Sequence, residues 1–239
     1  MLTAREIAAT GADVLLLERG SMGGESSWAG GGILSPLYPW RYDDAVNALA
    51  SYSQRLYPAM AKELLAESEI DPEYNSCGLM VLDQNELVQA EKWAAKWHMN
   101  LEILDTGKLV QQVEPGLGAA VTNALWLPDI AQMRNPRLVK SLAGSLRKRH
   151  IKYLENCEVK RLVVSKNRVT GVVTGSGNYQ ANKIIIAGGA WSKNIIGIEL
   201  PQPEIEPVKG QMILFRAKPG ILSTMVLNQG RYLIPRRDG

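Results

Sequence analysis

Histidine and cysteine are scarce: the 239 residues contain two of each. Neither Cys77 and Cys157 nor His98 and His150 form a pair at metal-ligand spacing, so no zinc site is expected. Two isolated thiols also exclude a disulfide scaffold and read as reduced, buried cysteines. Neither histidine sits in a glycine-rich turn, which leaves no Ser/His/Asp or Cys/His catalytic arrangement. No apolar run reaches the length of a membrane span. Residues 1–20 carry charges inside their apolar part and lack a small-residue cleavage pattern, so they do not read as a signal peptide. Lys and Arg number 27 against 24 Asp and Glu, are scattered along the chain, and have no aromatics interleaved among them. The densest basic group, Arg147-Lys148-Arg149-His150, reads as cations facing a helix C-terminus. No nucleic-acid partner is expected. Repeats and low-complexity tracts are missing. A cytoplasmic protein is expected, and 46% hydrophobic residues suffice for the core of one large or two small domains.

What is present is organised around residues 181–192, Ala-Asn-Lys-Ile-Ile-Ile-Ala-Gly-Gly-Ala-Trp-Ser. The four apolar residues 184–187 suit a strand buried on both faces. Gly188 and Gly189 then remove side chains where the chain turns tightly or lets something approach its backbone. The amides opening the next helical segment could face an anion. A second stretch has the same character. The strand Val14-Leu15-Leu16-Leu17 ends in Glu18 and is followed by a small-residue loop reaching Gly32. Two such strand ends, far apart in sequence, point to one nucleotide-sized ligand across a parallel sheet. There Glu18 would accept hydrogen bonds from the ribose hydroxyls of an adenine dinucleotide; a solvated glutamate after a strand is the alternative. In Ser26-Ser27-Trp28-Ala29-Gly30-Gly31-Gly32 the hydroxyls and glycines would admit a phosphate or a flat ring. A plain linker is the alternative, opposed by Trp28 before the glycines and the apolar Ile33 and Leu34 after them.

Elsewhere the punctuation is local. Residues 2–10 read as a helix with Gly11 at its C′ position. Asp43 or Asp44 caps a long helix to about Glu67, with Val46, Leu49, Leu56, Met60 and Leu64 as its apolar positions, broken by Asp71 and Pro72. Residues 85–98 form an amphipathic helix, 106–113 a short one ended by Pro115 and Gly116, and 133–148 a third. Strands are expected at 79–82, 101–104 and 119–127, in the set 153–187, and as antiparallel strands at 212–215, 224–227 and 232–234. Pro201, Pro203 and Pro207 mark a crossing between domains. Val159 reads as an ordinary strand residue or as one that presents its backbone to an adenine ring. Tyr232 reads as a core tyrosine or as a side chain facing a small anionic substrate. Arg236 and Arg237 read as surface rather than as a carboxylate clamp.

Four motifs carry a resemblance to a known family. They are Val14-Leu15-Leu16-Leu17-Glu18-Arg19-Gly20, Glu25-Ser26-Ser27-Trp28-Ala29-Gly30-Gly31-Gly32-Ile33-Leu34-Ser35-Pro36, Ala187-Gly188-Gly189-Ala190-Trp191-Ser192 and Pro207-Val208-Lys209-Gly210-Gln211. Together they resemble the FAD-dependent amine oxidases of the D-amino acid oxidase superfamily, and within it the glycine oxidases of thiamine biosynthesis. The resemblance implies an α/β fold. An incomplete FAD-binding parallel sheet of the glutathione-reductase-like type would come from residues 1–70 and 133–202, and a mixed or antiparallel α+β substrate domain from 71–132 and 203–239. It implies that Glu18 and Arg19 meet the adenosine ribose, Ser26 and Ser27 the pyrophosphate and ribityl region, and Gly31, Gly32 and Ile33 the flavin ring. Val159 would bond adenine through its backbone, Gly188, Gly189 and Trp191 would lie by the pyrophosphate and ribose, and Tyr232 would border the substrate. The implied reaction is oxidative deamination of glycine or another small amine to an imine, with dioxygen reduced to hydrogen peroxide. Its partners would be that amine or amino acid and dioxygen, with a homo-oligomer allowed. A D-amino acid dehydrogenase and a non-catalytic remnant are the competing readings. Members of the family begin with a strand and a Gly-x-Gly-x-x-Gly turn, expected here before Met1. They also continue past Gly239, so the chain is expected to be the middle of the enzyme.

Overall fold

The computed structural model describes residues 1–83, 85–196 and 204–239, with Ile196 described for its backbone only. In chain order its elements are α1 (Leu2–Ala9), β1 (Leu15–Leu17), α2 (Ser26–Ala29), α3 (Asp44–Ser68), β2 (Leu79–Val81), α4 (Leu87–Trp97), β3 (Glu102–Leu104), α5 (Gly107–Val113), β4 (Ala124–Leu127), α6 (Asn135–Lys148), β5 (Lys152–Leu154), β6 (Val159–Ser165), β7 (Arg168–Thr174), β8 (Asn178–Gln180), α7 (Ser192–Ile196), β9 (Met225–Asn228) and β10 (Arg231–Leu233). They gather into two compact units, each made of two chain segments: Met1–Ser26 with Ser145–Gln211, and Ser27–Gly144 with Met212–Gly239. These units differ from the boundaries expected from the sequence, since α3 and most of α6 fall within the second unit. Pro201 and Pro203, two of the three prolines expected at a crossing, lie outside the described residues.

In the first unit, β1 and β5 pair in parallel, Leu15 opposite Lys152 and Leu17 opposite Leu154. Ala4 of α1 and Leu146 and Ile151 form the buried centre, and Val14, Leu16 and Tyr153 pack on it. Strands β6, β7 and β8 make an antiparallel meander. Lys166 and Asn167, at the β6–β7 turn, both have positive φ (47° and 60°), the conformation that matches a two-residue hairpin to the twist of its strands. The expected strand at 184–187 does not form. Those residues lie outside any ladder, and Ile185 is 58% exposed. Its apolar residues supply strand propensity, but a strand is a pairing, and among the described residues none pairs with it. Among the described residues β1 likewise pairs on one edge only, and Leu15 is 40% exposed, so it is not the buried strand expected.

The second unit holds a mixed sheet in the order β10-β9-β2-β4-β3, antiparallel except for the β2–β9 pair. Alternation along β2 sends Leu79 and Val81 to one face and Met80 to the other. The first pair joins Ala90, Trp93 and Ala94 of α4 with Leu125, Leu127, Met225 and Leu227. Met80 joins Leu104, Val110 of α5 and Ala124. Both faces are therefore covered, and each fully buried Leu contributes about 1.5–3 kcal/mol. α5 is capped by Thr106, whose hydroxyl accepts from the Leu109 amide. Just past its end, Glu114 is 1% exposed and its carboxylate accepts from Gly116, Ser223 and Thr224, tying α5 to the start of β9.

Two expectations in this unit are corrected. α3 begins after Asp43 and runs to Ser68 as read, but Val46, Leu49 and Leu56 are 41%, 72% and 51% exposed. The buried face is Asn47, Ala61 and Leu64. Asn47 turns inward because its side chain has partners there: it donates to the Pro39 and Tyr42 carbonyls and accepts from the Trp93 indole N–H (2.9 Å). Residues 212–215 form no strand; Ile213, Leu214 and Phe215 are 73%, 88% and 69% exposed, outside any ladder. No helix among the described residues is long and apolar enough to cross a membrane.

Candidate functional site

The first unit gathers one group of the expected residues. Glu18 directly follows β1. Its amide donates to the Leu154 carbonyl (2.9 Å) and its carbonyl accepts from the Cys157 amide (2.8 Å), so both its backbone groups are held by the segment that runs on from β5. Its carboxylate accepts from the Gly20 amide at 2.8 Å. Arg19 pairs with Glu25 at 2.6 Å and lays its guanidinium over the Trp191 ring, 4.3 Å from the centroid. The glutamate holds the Arg19 guanidinium above its ordinary range. Trp191 closes a 3-10 turn over Gly189–Trp191, and its amide donates to the Gly188 carbonyl (3.1 Å). Gly189 has φ +55°, and a Cβ built on it would meet nothing within 4 Å, so space is open beside this turn. The Arg19–Trp191 stack thus joins the two stretches that the sequence separates. Val159, at the head of β6 opposite Thr174, lies two residues beyond Cys157 and is half-buried. Ser26 follows Glu25 and opens α2, and Ser27 is the first residue of the second unit; both side chains are exposed.

The second unit gathers the others. Ile33 bridges Gln132 in antiparallel fashion, the Met133 amide donates to the Gly32 carbonyl and the Leu34 amide to the Ala131 carbonyl (both 2.9 Å). Gly32 has φ +80°, and a Cβ there would stand 2.0 Å from the Met133 carbonyl oxygen. On Gly31 a Cβ would stand 2.8 Å from Ile234 and 3.0 Å from the Tyr232 ring. These two glycines are therefore required by the protein's own packing: Tyr232 is seated on Gly31. The Tyr232 hydroxyl lies 3.3 Å from the Met212 sulfur.

Arg236 is the residue that the sequence reading passed over. Arg237 is exposed and pairs with Asp71 at 2.7 Å, as a surface arginine does. Arg236 is half-buried and donates to the Gly31 carbonyl (2.6 Å), to the Met133 carbonyl (3.3 Å) and, in a short contact, to the Gln132 side chain. Burial, then the positive charge of Arg134, lowers its guanidinium below the usual arginine range. The signal was present: Tyr232, Ile234 and Arg236 are spaced by two, so an extended chain points all three the same way.

The FAD dependent oxidoreductase family model, DAO, matches residues 1–239. The glycine oxidase of Pseudomonas aeruginosa is 46% identical over 243 residues, covering 100% of this chain and 66% of the relative. A bifunctional protein ThiO/ThiG of Synechocystis is 28% identical over 90% of this chain and 32% of its own length. Among solved structures, the glycine oxidase of Geobacillus kaustophilus superposes with a TM-score of 0.87 at 26% identity, over 98% of this chain and 65% of that one. The chain thus spans about two thirds of the length of these glycine oxidases. Its α/β fold, with mixed and antiparallel sheets, matches theirs. The chain belongs to the DAO family of FAD dependent oxidoreductases.

Proposed function

We propose that this chain is part of an FAD-dependent oxidase that deaminates glycine or another small amine, releasing an imine and hydrogen peroxide. The observation that carries the reading is the acid at the end of β1, held by its backbone, with the neighbouring Arg19 stacked on Trp191. A carboxylate in that place accepts hydrogen bonds from a ribose. A Cβ on Gly189 would meet nothing within 4 Å, so the backbone of that turn is open to a ligand.

In this reading Glu18, Arg19, Gly188, Gly189 and Trp191 hold the adenosine portion of FAD, and Val159 offers its backbone to adenine. Ser26 and Ser27 supply exposed hydroxyls for the pyrophosphate and ribityl region. In the second unit, Gly31, Gly32 and Ile33 present a rigid backbone to the flavin ring, and Tyr232 borders the substrate. Bound FAD supplies the two-electron oxidation of the amine. The residues of the chain supply orientation and electrostatics, and none need act as a general base. The Tyr232 hydroxyl contributes shape and one hydrogen bond. The likeness to a protein whose name joins ThiO with ThiG supports a place in thiamine biosynthesis.

The test is a chain extended to the length of its Pseudomonas relative, purified with FAD and supplied with glycine under air. Glycine-dependent oxygen consumption and peroxide formation are expected. Amine oxidation without peroxide would assign a dehydrogenase instead, and flavin that no amine reduces would overturn the reading.

A further inference from the structure

Four arginines crowd the C-terminal end of the second unit, and three are answered by carboxylates. Arg134 pairs with Asp238 and Glu73, Arg137 with Glu73, and Arg237 with Asp71. The hydrogen bonds of Arg236 go to neutral acceptors instead: the Gly31 carbonyl, the Met133 carbonyl and Gln132. Gln132 is 2% exposed and is itself fixed, donating to the Pro235 carbonyl at 2.8 Å and to the Cys77 sulfur at 3.4 Å. A guanidinium fork therefore fastens the carbonyl of the glycine on which Tyr232 sits. The same segment that carries Tyr232 carries the fork, four residues later.

We propose that Arg236 is a positioning residue: through Gln132 and the Gly31 carbonyl it sets the loop of Gly31 and Gly32 under Tyr232, and so fixes how Tyr232 meets the substrate. This rests on the assignment of Tyr232 to the substrate face. The geometry leaves the loop little slack. Gly32 is hemmed by the Met133 carbonyl on one side, Gly31 by Tyr232 and Ile234 on the other, and Arg236 closes the third side. An ammonium cannot replace the fork, because a single nitrogen does not reproduce two planar donors aimed at separate oxygens.

The experiment compares the native extended enzyme with Arg236→Lys, Tyr232→Phe and the double variant. Hydrogen exchange of the peptide covering residues 31–34 is read in each, with KM and kcat for the amine. Arg236→Lys should speed exchange at 31–34 about tenfold or more and raise KM about tenfold, with kcat, read per bound flavin, within about threefold. In the double variant the two KM effects should fall short of multiplying, because Arg236 acts through Tyr232. Should Arg236→Lys fail to fold, Gln132→Met removes the same acceptor at similar volume and is read identically. Unchanged exchange at 31–34, an unaltered KM or fully multiplicative effects would overturn the inference while leaving the oxidase reading intact. If the native enzyme oxidises no amine, the oxidase reading falls, and the assignment of Tyr232 to the substrate face and the positioning role of Arg236 fall with it. The exchange result then stands as a measure of the clamp alone.

Discussion

Replacing Glu114 by glutamine keeps its volume and removes its charge. In the native protein one carboxylate oxygen accepts from the Ser223 and Thr224 amides (both 2.7 Å) and from the hydroxyls of the same residues (2.8 and 3.1 Å). The other accepts from the Gly116 amide at 2.9 Å. A glutamine has one acceptor oxygen. Turned toward Ser223 and Thr224, it sets its NH2 against the Gly116 N–H, donor against donor. Hydrogen bonds to a charged acceptor contribute about 1.5–3 kcal/mol against about 0.5–1.5 for a neutral one, and a stranded buried amide costs about 1–3. Losing about 1 kcal/mol at each of two backbone bonds and stranding one amide gives a cost of about 3–5 kcal/mol. That is a large share of the roughly 5–15 kcal/mol that a domain has. In urea the unfolding midpoint of the second unit should fall by about 1–3 M at an unchanged slope. Burial alone would raise the Glu114 pKa; the Gly116, Thr224 and Ser223 donors outweigh it and hold the carboxyl below the usual range. With the folded pKa below the unfolded one, the stabilisation is complete above the unfolded value of about 4.3 and is lost as pH falls through the folded value. The gap between native and Glu114→Gln should therefore narrow as the pH is lowered below about 4. A loss under about 1 kcal/mol at neutral pH, or a gap that does not narrow in acid, would refute this account of the clamp.

Three further outcomes are expected. Glu18→Ala in the extended enzyme should weaken FAD binding by about 1.5–3 kcal/mol with little change in fold stability, read by flavin titration; an unchanged affinity would remove Glu18 from the cofactor site. Gly32→Ala should destabilise the second unit by more than about 1 kcal/mol even without FAD, since it forces a side chain into a left-handed backbone and against the Met133 carbonyl. Chemical denaturation of the apo-protein checks this, and native stability would mean that the loop moves aside freely. Tyr232→Phe should change substrate affinity by about 0.5–1.5 kcal/mol; a loss of many orders of magnitude in flavin reduction would give this tyrosine a larger role than one hydrogen bond.

Helices were legible wherever punctuation stood at their ends. Thr106 and Pro115 bracket α5, Asp43 starts α3, and Gly11 takes the left-handed position after α1. Which face a helix buries was less legible. The apolar positions of α3 did not foretell that Asn47 turns inward, because its partners Pro39, Tyr42 and Trp93 come from other turns of the chain. Strands failed where pairing, a non-local property, decided the matter: residues 184–187 and 212–215 have the composition of strands and no ladder. In the candidate site, Glu18 could be read from a strand and the acid at its tip. Arg236 could not be read that way, since the carbonyl it holds lies 205 residues away and its glutamine partner 104.

The unpaired segment at 212–215 has a consequence for the protein in solution. Met-Ile-Leu-Phe carries no charge, no proline and no glycine, and three of its side chains are more than two-thirds exposed. An apolar segment that among the described residues joins no ladder is a template for a strand from another molecule, and short windows of this composition seed cross-β stacking. Lys209 on one side and Arg216 and Lys218 on the other, all exposed, act as gatekeepers, placing like charges side by side whenever copies align in register. Salt screens that repulsion over a Debye length of about 8 Å at physiological ionic strength. The tendency of this chain to self-associate should therefore rise with ionic strength.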